Sequence, residues 1–389
     1  MPSVADFRPP LAGIRVLDFG RYIAGPYCAA LLADYGADVI RIEKEAGSED
    51  RFVTPVCANG DGALFLQMNR NKRGMAYDPG SVRGRAITRK LVALADIIVA
   101  NLPDATLERM GLSYDQLCAV KPEVILVTMS AFGTEGPWKE RLGFDSIGQA
   151  MCGAAYLSGT PEGPARTQVS WVDFSTAVHC AYGALLALRH RDQTGRGQHV
   201  QGSLLASAIN GANAQIIEQA LTAPHRPPIG SDAAGAAPIG FFETRDGWIV
   251  VHVVGQPIFD RLAGLLRRTD WLTDPHYASD LLRGDNRAPI LAEMRDWCAA
   301  RSCDEAIRAL SDARIPAGPV LAPADVLANE QVAAANIFNF QNSESAVGAV
   351  PIARSPIRLS GYEPDCRPAP HLGADTDGIL ADIDIARFL

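Results

Sequence analysis

The stretch Ile14-Arg15-Val16-Leu17-Asp18-Phe19-Gly20-Arg21-Tyr22-Ile23-Ala24-Gly25-Pro26 decides the fold class. Residues 14–19 form a short run of apolar and β-branched side chains, which reads as a strand, and Gly20 with Ala24-Gly25-Pro26 reads as the turn that follows. A helical spacing then runs through Ala29, Leu32 and Ala33 and stops at Tyr35-Gly36. Asp38-Val39-Ile40-Arg41-Ile42-Glu43 reads as a second strand. Strands joined through a helix run parallel, because a crossover returns the chain to the same end of the sheet. The pattern recurs: a helix over 82–94 leads into a strand at 96–100, and a helix over 114–120 leads into a strand at 124–128. An α/β chain with an open parallel sheet covered by helices on both faces is therefore expected. Two more helices are expected over 144–157 and 174–191.

The 389 residues suit two or three domains, or one large α/β unit with an appendage. With 48% hydrophobic and 21% charged residues the chain can build a sizeable core, which excludes global disorder. A formal net charge of −8 supplies no positive field for nonspecific nucleic-acid binding, so no nucleic-acid partner is expected. It does not exclude a small anionic ligand, which responds to the charges around its own pocket. The cysteines at 28, 57, 118, 152, 180, 298, 303 and 366 include no Cys-x-x-Cys pair, so they read as reduced core thiols and no metal site is expected. No basic segment precedes an apolar one at the N-terminus, and the apolar region at 177–188, interrupted by His179, is too short to span a bilayer. A soluble, cytoplasmic protein without a membrane partner is the expectation.

Composition shifts near Ala223. Residues 224–240 carry four prolines, and 231–237 are almost all small, so this stretch reads as a linker or mobile loop. A strand at 248–254 and helices near 258–266, 287–300 and 303–310 follow. The boundaries expected from this are 1–222 for the N-terminal part of a large domain, 223–316 for a smaller α+β domain with its linkers, and 317–389 for a Pro- and Gly-rich segment too sparse to fold alone.

Several familiar motifs fail. Gly20 and Gly25 lack the middle glycine of a dinucleotide fingerprint, so Tyr22 stands where a pyrophosphate must approach. Gly25 is followed by Pro-Tyr, which is not a P-loop, and neither G-x-S-x-G nor H-E-x-x-H occurs. Basic residues cluster nonetheless: Arg70, Lys72 and Arg73 in one short run, Arg109 after a strand, and Lys139 with Arg141 in another loop. Loops after parallel strands converge on one crevice, where such cations would bind phosphates or carboxylates; a solvated surface is the equal alternative. Arg189, His190 and Arg191 would complement the C-terminal end of their helix dipole. Asp173 stands among apolar neighbours directly before a helix. It reads either as an N-cap or, in the same position, as a carboxylate kept ionised and nucleophilic by the helix N-terminus. Asp145, after Gly143-Phe144, invites a capping reading too.

Arg15-Val16-Leu17-Asp18-Phe19 with Ala24-Gly25-Pro26, Gly36 to Glu43, Asn69-Arg70-Asn71-Lys72-Arg73, Leu107 to Leu112, Thr194 to Val200, Ile315 to Val320 and Ala369 to Gly373 occur in one order along most of the chain. Together they resemble the class III coenzyme A transferases, the family of formyl-CoA:oxalate transferase, carnitine CoA-transferase and α-methylacyl-CoA racemase. The resemblance implies a Rossmann-like large domain made from both chain ends, a small domain between them, and a homodimer of interlocked subunits. It implies an acyl-CoA and a small carboxylic acid as substrates, with CoA as substrate and no permanently bound cofactor. In the transferases an aspartate attacks the thioester, and a mixed anhydride and then an aspartyl-CoA thioester follow; Asp173 matches that aspartate. Tyr22, Ile23, Lys44, Asn101, Leu102 and Arg109 match CoA contacts. Departures are visible: a lysine common in the family is replaced near Gly80, and Ala233–Ala237 substitutes for a glycine-rich active-site flap, which tells against oxalate. A racemase needs a proton-carrying histidine before Asp145, where this chain has Phe144. A racemase-like enzyme and a noncatalytic acyl-CoA-binding relative are the alternatives.

Overall fold

The structure is a computed structural model describing residues 8–342 and 348–383. In chain order the elements are β1 (Arg15–Asp18), α1 (Ala24–Ala33), β2 (Asp38–Glu43), α2 (Ala63–Met68), β3 (Arg73–Ala76), α3 (Val82–Leu94), β4 (Ile97–Ala100), α4 (Asp104–Met110), α5 (Tyr114–Cys118), β5 (Ile125–Ser130), α6 (Asp145–Met151), α7 (Ala154–Leu157), α8 (Trp171–Thr194), β6 (His199–Ser203) and α9 (Leu204–Thr222). They continue with β7 (Ile239–Glu243), β8 (Trp248–His252), α10 (Gln256–Leu265), α11 (Asp280–Asp285), α12 (Arg287–Ala299), α13 (Cys303–Asp312), β9 (Ala317–Pro319), α14 (Pro323–Ala328), α15 (Glu330–Ala334), β10 (Phe338–Gln341), β11 (Val350–Ala353) and α16 (Thr376–Asp382). The chain divides into two compact units: one reaches to Cys152 and includes Gln168–Asn213 and the chain from Ala333, and the other comprises Gly153–Thr167 and Ala214–Val332.

In the first unit six strands form one parallel sheet in the order β3-β2-β1-β4-β5-β6, with Val16 opposite both Val39 and Ile97. The chain winds outward from β1 to β3, returns to β4 beside β1, and winds the other way. This reversal splays apart the loops after β1 and β4 and opens a crevice at the carboxyl ends of the strands. Buried Leu17, Ile40, Ile98 and Leu126 from the strands meet Ile87, Leu91, Leu107 and Leu117 from the helices in one core. All four residues of β4 are buried, as a strand covered on both faces requires. The edge strand β3 is not left open. The Gly74 N–H donates to Asp375 Oδ2 at 2.7 Å and the Ala76 N–H to Thr376 Oγ1 at 3.0 Å, so the C-terminal segment occupies its free hydrogen-bonding side.

Helix 174–191 is longer than expected, Trp171–Thr194, so Asp173 lies inside its first turn. The helix expected over 144–157 breaks at Gly153, which takes φ +88°, and its two halves, α6 and α7, fall in different units. Arg191 does more than face the end of its helix: it binds Asp96 Oδ1 at 2.7 Å, at the foot of β4.

The second unit has an antiparallel sheet in the order β7-β8-β9. Phe242, Ile249, Val251, Phe259, Trp271, Met294 and Leu310 share its core. Residues 317–332 therefore differ from expectation, since β9 completes this sheet. The small-residue stretch 231–237 is packed, not a free linker: Ala236 and Ala237 are buried, and a Cβ on Gly284 would lie 2.1 Å from the Ala234 carbonyl oxygen. All eight cysteines are free, five of them buried. Among the described residues no helix is long and apolar enough to cross a membrane.

Candidate active site

The turn after β1 is drawn tight by its own residues. Asp18 Oδ1 accepts the Gly20 N–H at 2.8 Å, and a Cβ on Gly25 would stand 2.8 Å from Gly20 Cα. Only glycine allows the helix start to come so close to the strand end, so Gly25→Ala is expected to lower the free energy of unfolding by about 1–3 kcal/mol in urea denaturation. Asn101, after β4, clamps the same turn from across the crevice: its Oδ1 accepts from Arg21 N at 2.6 Å and its Nδ2 donates to Arg21 O at 2.8 Å. Between clamp and helix, Tyr22 takes φ +61°, a left-handed conformation costly for a residue with a side chain. Its ring meets Phe144 edge-on at 5.5 Å.

These loops border a cavity of about 320 Å³. Arg21, Tyr22 and Ile23 line it from the β1 side, Asn101, Leu102 and Asp104 from β4, and Lys139 to Phe144 from the loop after β5. Asp173 enters from α8. Its carboxyl takes no hydrogen bond from any described residue, which leaves both oxygens for a ligand.

The N-cap reading of Asp173 is corrected. The cap position belongs to Ser170, whose side chain makes no capping bond. Asp145 does that work from α6: its Oδ1 accepts the N–H groups of Val172 at 2.7 Å and Asp173 at 3.2 Å. The ionised state expected for Asp173 is also corrected. Burial first, and the neighbouring Asp145 charge second, push its carboxyl up to about 7. Near neutral pH the group exchanges its proton readily.

Four of the six expected CoA contacts, Tyr22, Ile23, Asn101 and Leu102, line the cavity. Lys44 and Arg109 do not. Lys44 is exposed and paired with Glu49 at 2.6 Å, and Arg109 is exposed on α4 with its Nη2 3.4 Å from Thr106 Oγ1. The basic run at 70–73 is corrected outright. Arg70 is buried against Asp34 at 2.6 Å, Lys72 is buried against Asp18 at 2.7 Å, and Arg73 binds Asp38 at 2.7 Å. These cations are neutralised within the fold and hold strands and helices together. Lys139 and Arg141, by contrast, face the cavity without an ion pair among the described residues, Arg141 resting on the Trp138 ring at 4.3 Å. Sequence reasoning named this loop without separating it from the buried run. The partnership of Asp145 with α8 was missed, and no local signal points to it.

A ligand cavity at the carboxyl ends of an open parallel sheet, with an unbonded carboxyl and unpaired cations on its wall, defines an α/β protein built to handle small anionic molecules. Residues 11–376 match the CoA-transferase family III, and the chain belongs to that family, as its sequence resemblance implied. The succinyl-CoA–L-malate CoA-transferase beta subunit of Chloroflexus aurantiacus is 32% identical over 381 residues, covering 96% of this chain and 94% of that one. The succinyl-CoA:glutarate CoA-transferase of Mus musculus is 29% identical over 385 residues, covering 98% and 88%. The crystal structure of a CaiB/BaiF family protein from Brucella suis superposes with a TM-score of 0.84 at 29% identity, over 97% of this chain and all of that one. The chain is thus an enzyme of the CoA-transferase type, related to transferases that act on acyl-CoA thioesters and carboxylates.

Proposed function

We propose that the enzyme moves CoA from an acyl-CoA to a small carboxylic acid with Asp173 as nucleophile. The observation that carries this is the Asp173 carboxyl itself, buried on the cavity wall with neither oxygen hydrogen-bonded among the described residues. An ionised Asp173 oxygen attacks the thioester carbon, the C–S bond breaks, and CoA leaves as thiolate while Asp173 and the acyl group share a mixed anhydride. The thiolate then attacks the Asp173 carbonyl and expels the acyl group as a free carboxylate, leaving an aspartyl-CoA thioester. An acceptor carboxylate repeats both steps in reverse, and no net proton is consumed. The chemistry suits a carboxylate, because one carboxylate is released for each that enters and one thioester replaces another, so the overall exchange is nearly balanced while the anhydride is only a transient, activated intermediate.

Tyr22, Ile23, Asn101 and Leu102 are assigned to the reactive end of CoA, and Lys139 and Arg141 to its negative charge or that of the acyl chain. Lys44 and Arg109, outside the cavity, are assigned to the distal phosphates. Phe144, 61% exposed and with its ring against Tyr22, carries no proton, which favours transfer over racemisation. A homodimer is part of the reading: Val178, Tyr182, Leu185 and Leu186 form an exposed apolar face along α8, as a subunit contact requires. The names of the relatives make succinyl-CoA the first donor to try.

Hydroxylamine added during incubation with succinyl-CoA is expected to convert Asp173 to its hydroxamate, read by peptide mass analysis, and Asp173→Ala is expected to abolish the label. No label on Asp173 with succinyl-, acetyl- or formyl-CoA would sink the mechanism and favour a protein that binds acyl-CoA without turning it over.

A further inference from the structure

Asp145 is 6% exposed, and among the described residues it is held by N–H groups and not by a cation. One of its oxygens takes both N–H bonds from the first turn of α8. The other takes a bond from Gln149 Nε2 at 2.5 Å, and Gln149 is itself buried, so the carboxylate is locked in rotation. A serine or asparagine would cap a helix equally well. A buried second carboxylate beside Asp173 brings like-charge repulsion that a neutral cap would avoid, and such an arrangement calls for a reason in the chemistry.

We propose that Asp145 is a positioning residue for CoA transfer, fastening the turn that carries Asp173 and setting a second negative charge beside it. This rests on Asp173 being the nucleophile, as proposed above. Two consequences follow for the reaction. The turn cannot fray, so the Asp173 carboxyl keeps its aim into the cavity while substrates exchange. The charge of Asp145 also repels the free, ionised Asp173 but not its uncharged anhydride or thioester, and so biases the enzyme toward the acylated state. The same repulsion raises the affinity of Asp173 for a proton. Other ionisable groups surround Asp173: Arg21, Asp104, Lys139, Glu140 and Arg141 border the cavity, and Tyr27 of α1, Cys180 of α8 and His199 of β6 lie on the elements that pack around it. Apart from burial, Asp145 is the group that shifts it.

Asp145→Asn retains an oxygen for the cap and removes the charge. Two quantities are measured in the purified enzyme: the pH midpoint for labelling of Asp173 by succinyl-CoA and hydroxylamine, and the equilibrium fraction of enzyme-bound CoA thioester, read by intact mass. In the unaltered enzyme the midpoint is expected near 7. In Asp145→Asn it is expected to fall by about one pH unit or more, and the equilibrium constant for thioester formation above pH 8 by about tenfold. Asp145→Ala, which also removes the cap, is expected to slow labelling by a further factor of about ten or more. A purely structural Asp145 predicts loss of rate without movement of either quantity, and an Asn variant that keeps both would overturn the inference. Should the Asn variant fail to fold, the unaltered enzyme decides, since a labelling midpoint in the ordinary range near about 4 overturns it equally. Absence of any label on Asp173 in the unaltered enzyme is a different result, and overturns the nucleophile assignment itself.

Discussion

Asp173→Asn is expected to lower CoA transfer by at least about 10³-fold and, at the same time, to make the protein more stable above pH 7. The first effect is loss of the atom to which the acyl group and then CoA are joined. The second follows from linkage. In the folded protein the carboxyl is pushed up to about 7 by burial and by Asp145, against an ordinary value of 3.8. The folded state therefore holds this proton more tightly than the unfolded chain does. Between about pH 4 and 7 the unfolded state has already released the proton, so stability declines as pH rises through that window and stays lower above it. Asparagine carries no charge and avoids the penalty. Urea unfolding at pH 8 is expected to show the variant more stable by roughly 2–4 kcal/mol, with the gain gone below about pH 4. Equal stability at both pH values would show that the carboxyl is not desolvated as described. Activity close to that of the unaltered enzyme would remove Asp173 from the mechanism.

The largest loss of stability is expected from Lys72→Met, at about 3–5 kcal/mol in chemical denaturation. Lys72 is fully buried, and its Nζ lies 2.7 Å from Asp18 Oδ2, 2.8 Å from the Pro26 carbonyl and 2.9 Å from Asn69 Oδ1. Without it, Asp18 keeps a single cation, Arg41 at 3.6 Å, with both side chains fully buried. The cost is that of an uncompensated buried charge, which far exceeds the worth of the pair itself. Lys44→Met is the internal comparison. Its pair with Glu49 is exposed, and its loss is expected to change stability by less than about 1 kcal/mol. Loss of Lys72 would also reach the cavity. Asp18 fixes the Gly20 N–H, and the Gly20 carbonyl accepts from Arg41, so the turn presenting Tyr22 rests on this network. A Lys72→Met protein as stable as the unaltered one would refute the account of the buried network.

The contrast between these two lysines shows what a sequence discloses here. The first strand–helix–strand unit was legible because its signals are local: a run of apolar residues, a turn with two glycines, a helix stopped at Gly36. Helix 82–94 and strand 38–43 were read to the residue for the same reason. Charge is another matter, since a cation's meaning depends on its partner. The partners of Arg70, Lys72 and Arg73 lie 36, 54 and 35 residues away, brought near only by the crossovers of the sheet. A run that reads as a ligand-binding patch is an internal set of ties. Asp173 stood out by its place at the start of a helix and took its role from the family resemblance, but its protonation answers to burial and then to Asp145, 28 residues upstream, across a helix contact that no local pattern encodes. Lys139 and Arg141 line the cavity and make no ion pair among the described residues, which leaves them open to the anion-binding role proposed above.

The cover on β3 bears on the order of events as the protein is made. Gly74 and Ala76 wait for partners at Asp375 and Thr376, 301 and 300 residues later in the chain. Translation delivers the strand about 300 residues ahead of its cover. The nascent sheet therefore carries an open edge until that later segment has emerged, and its closure cannot come before it.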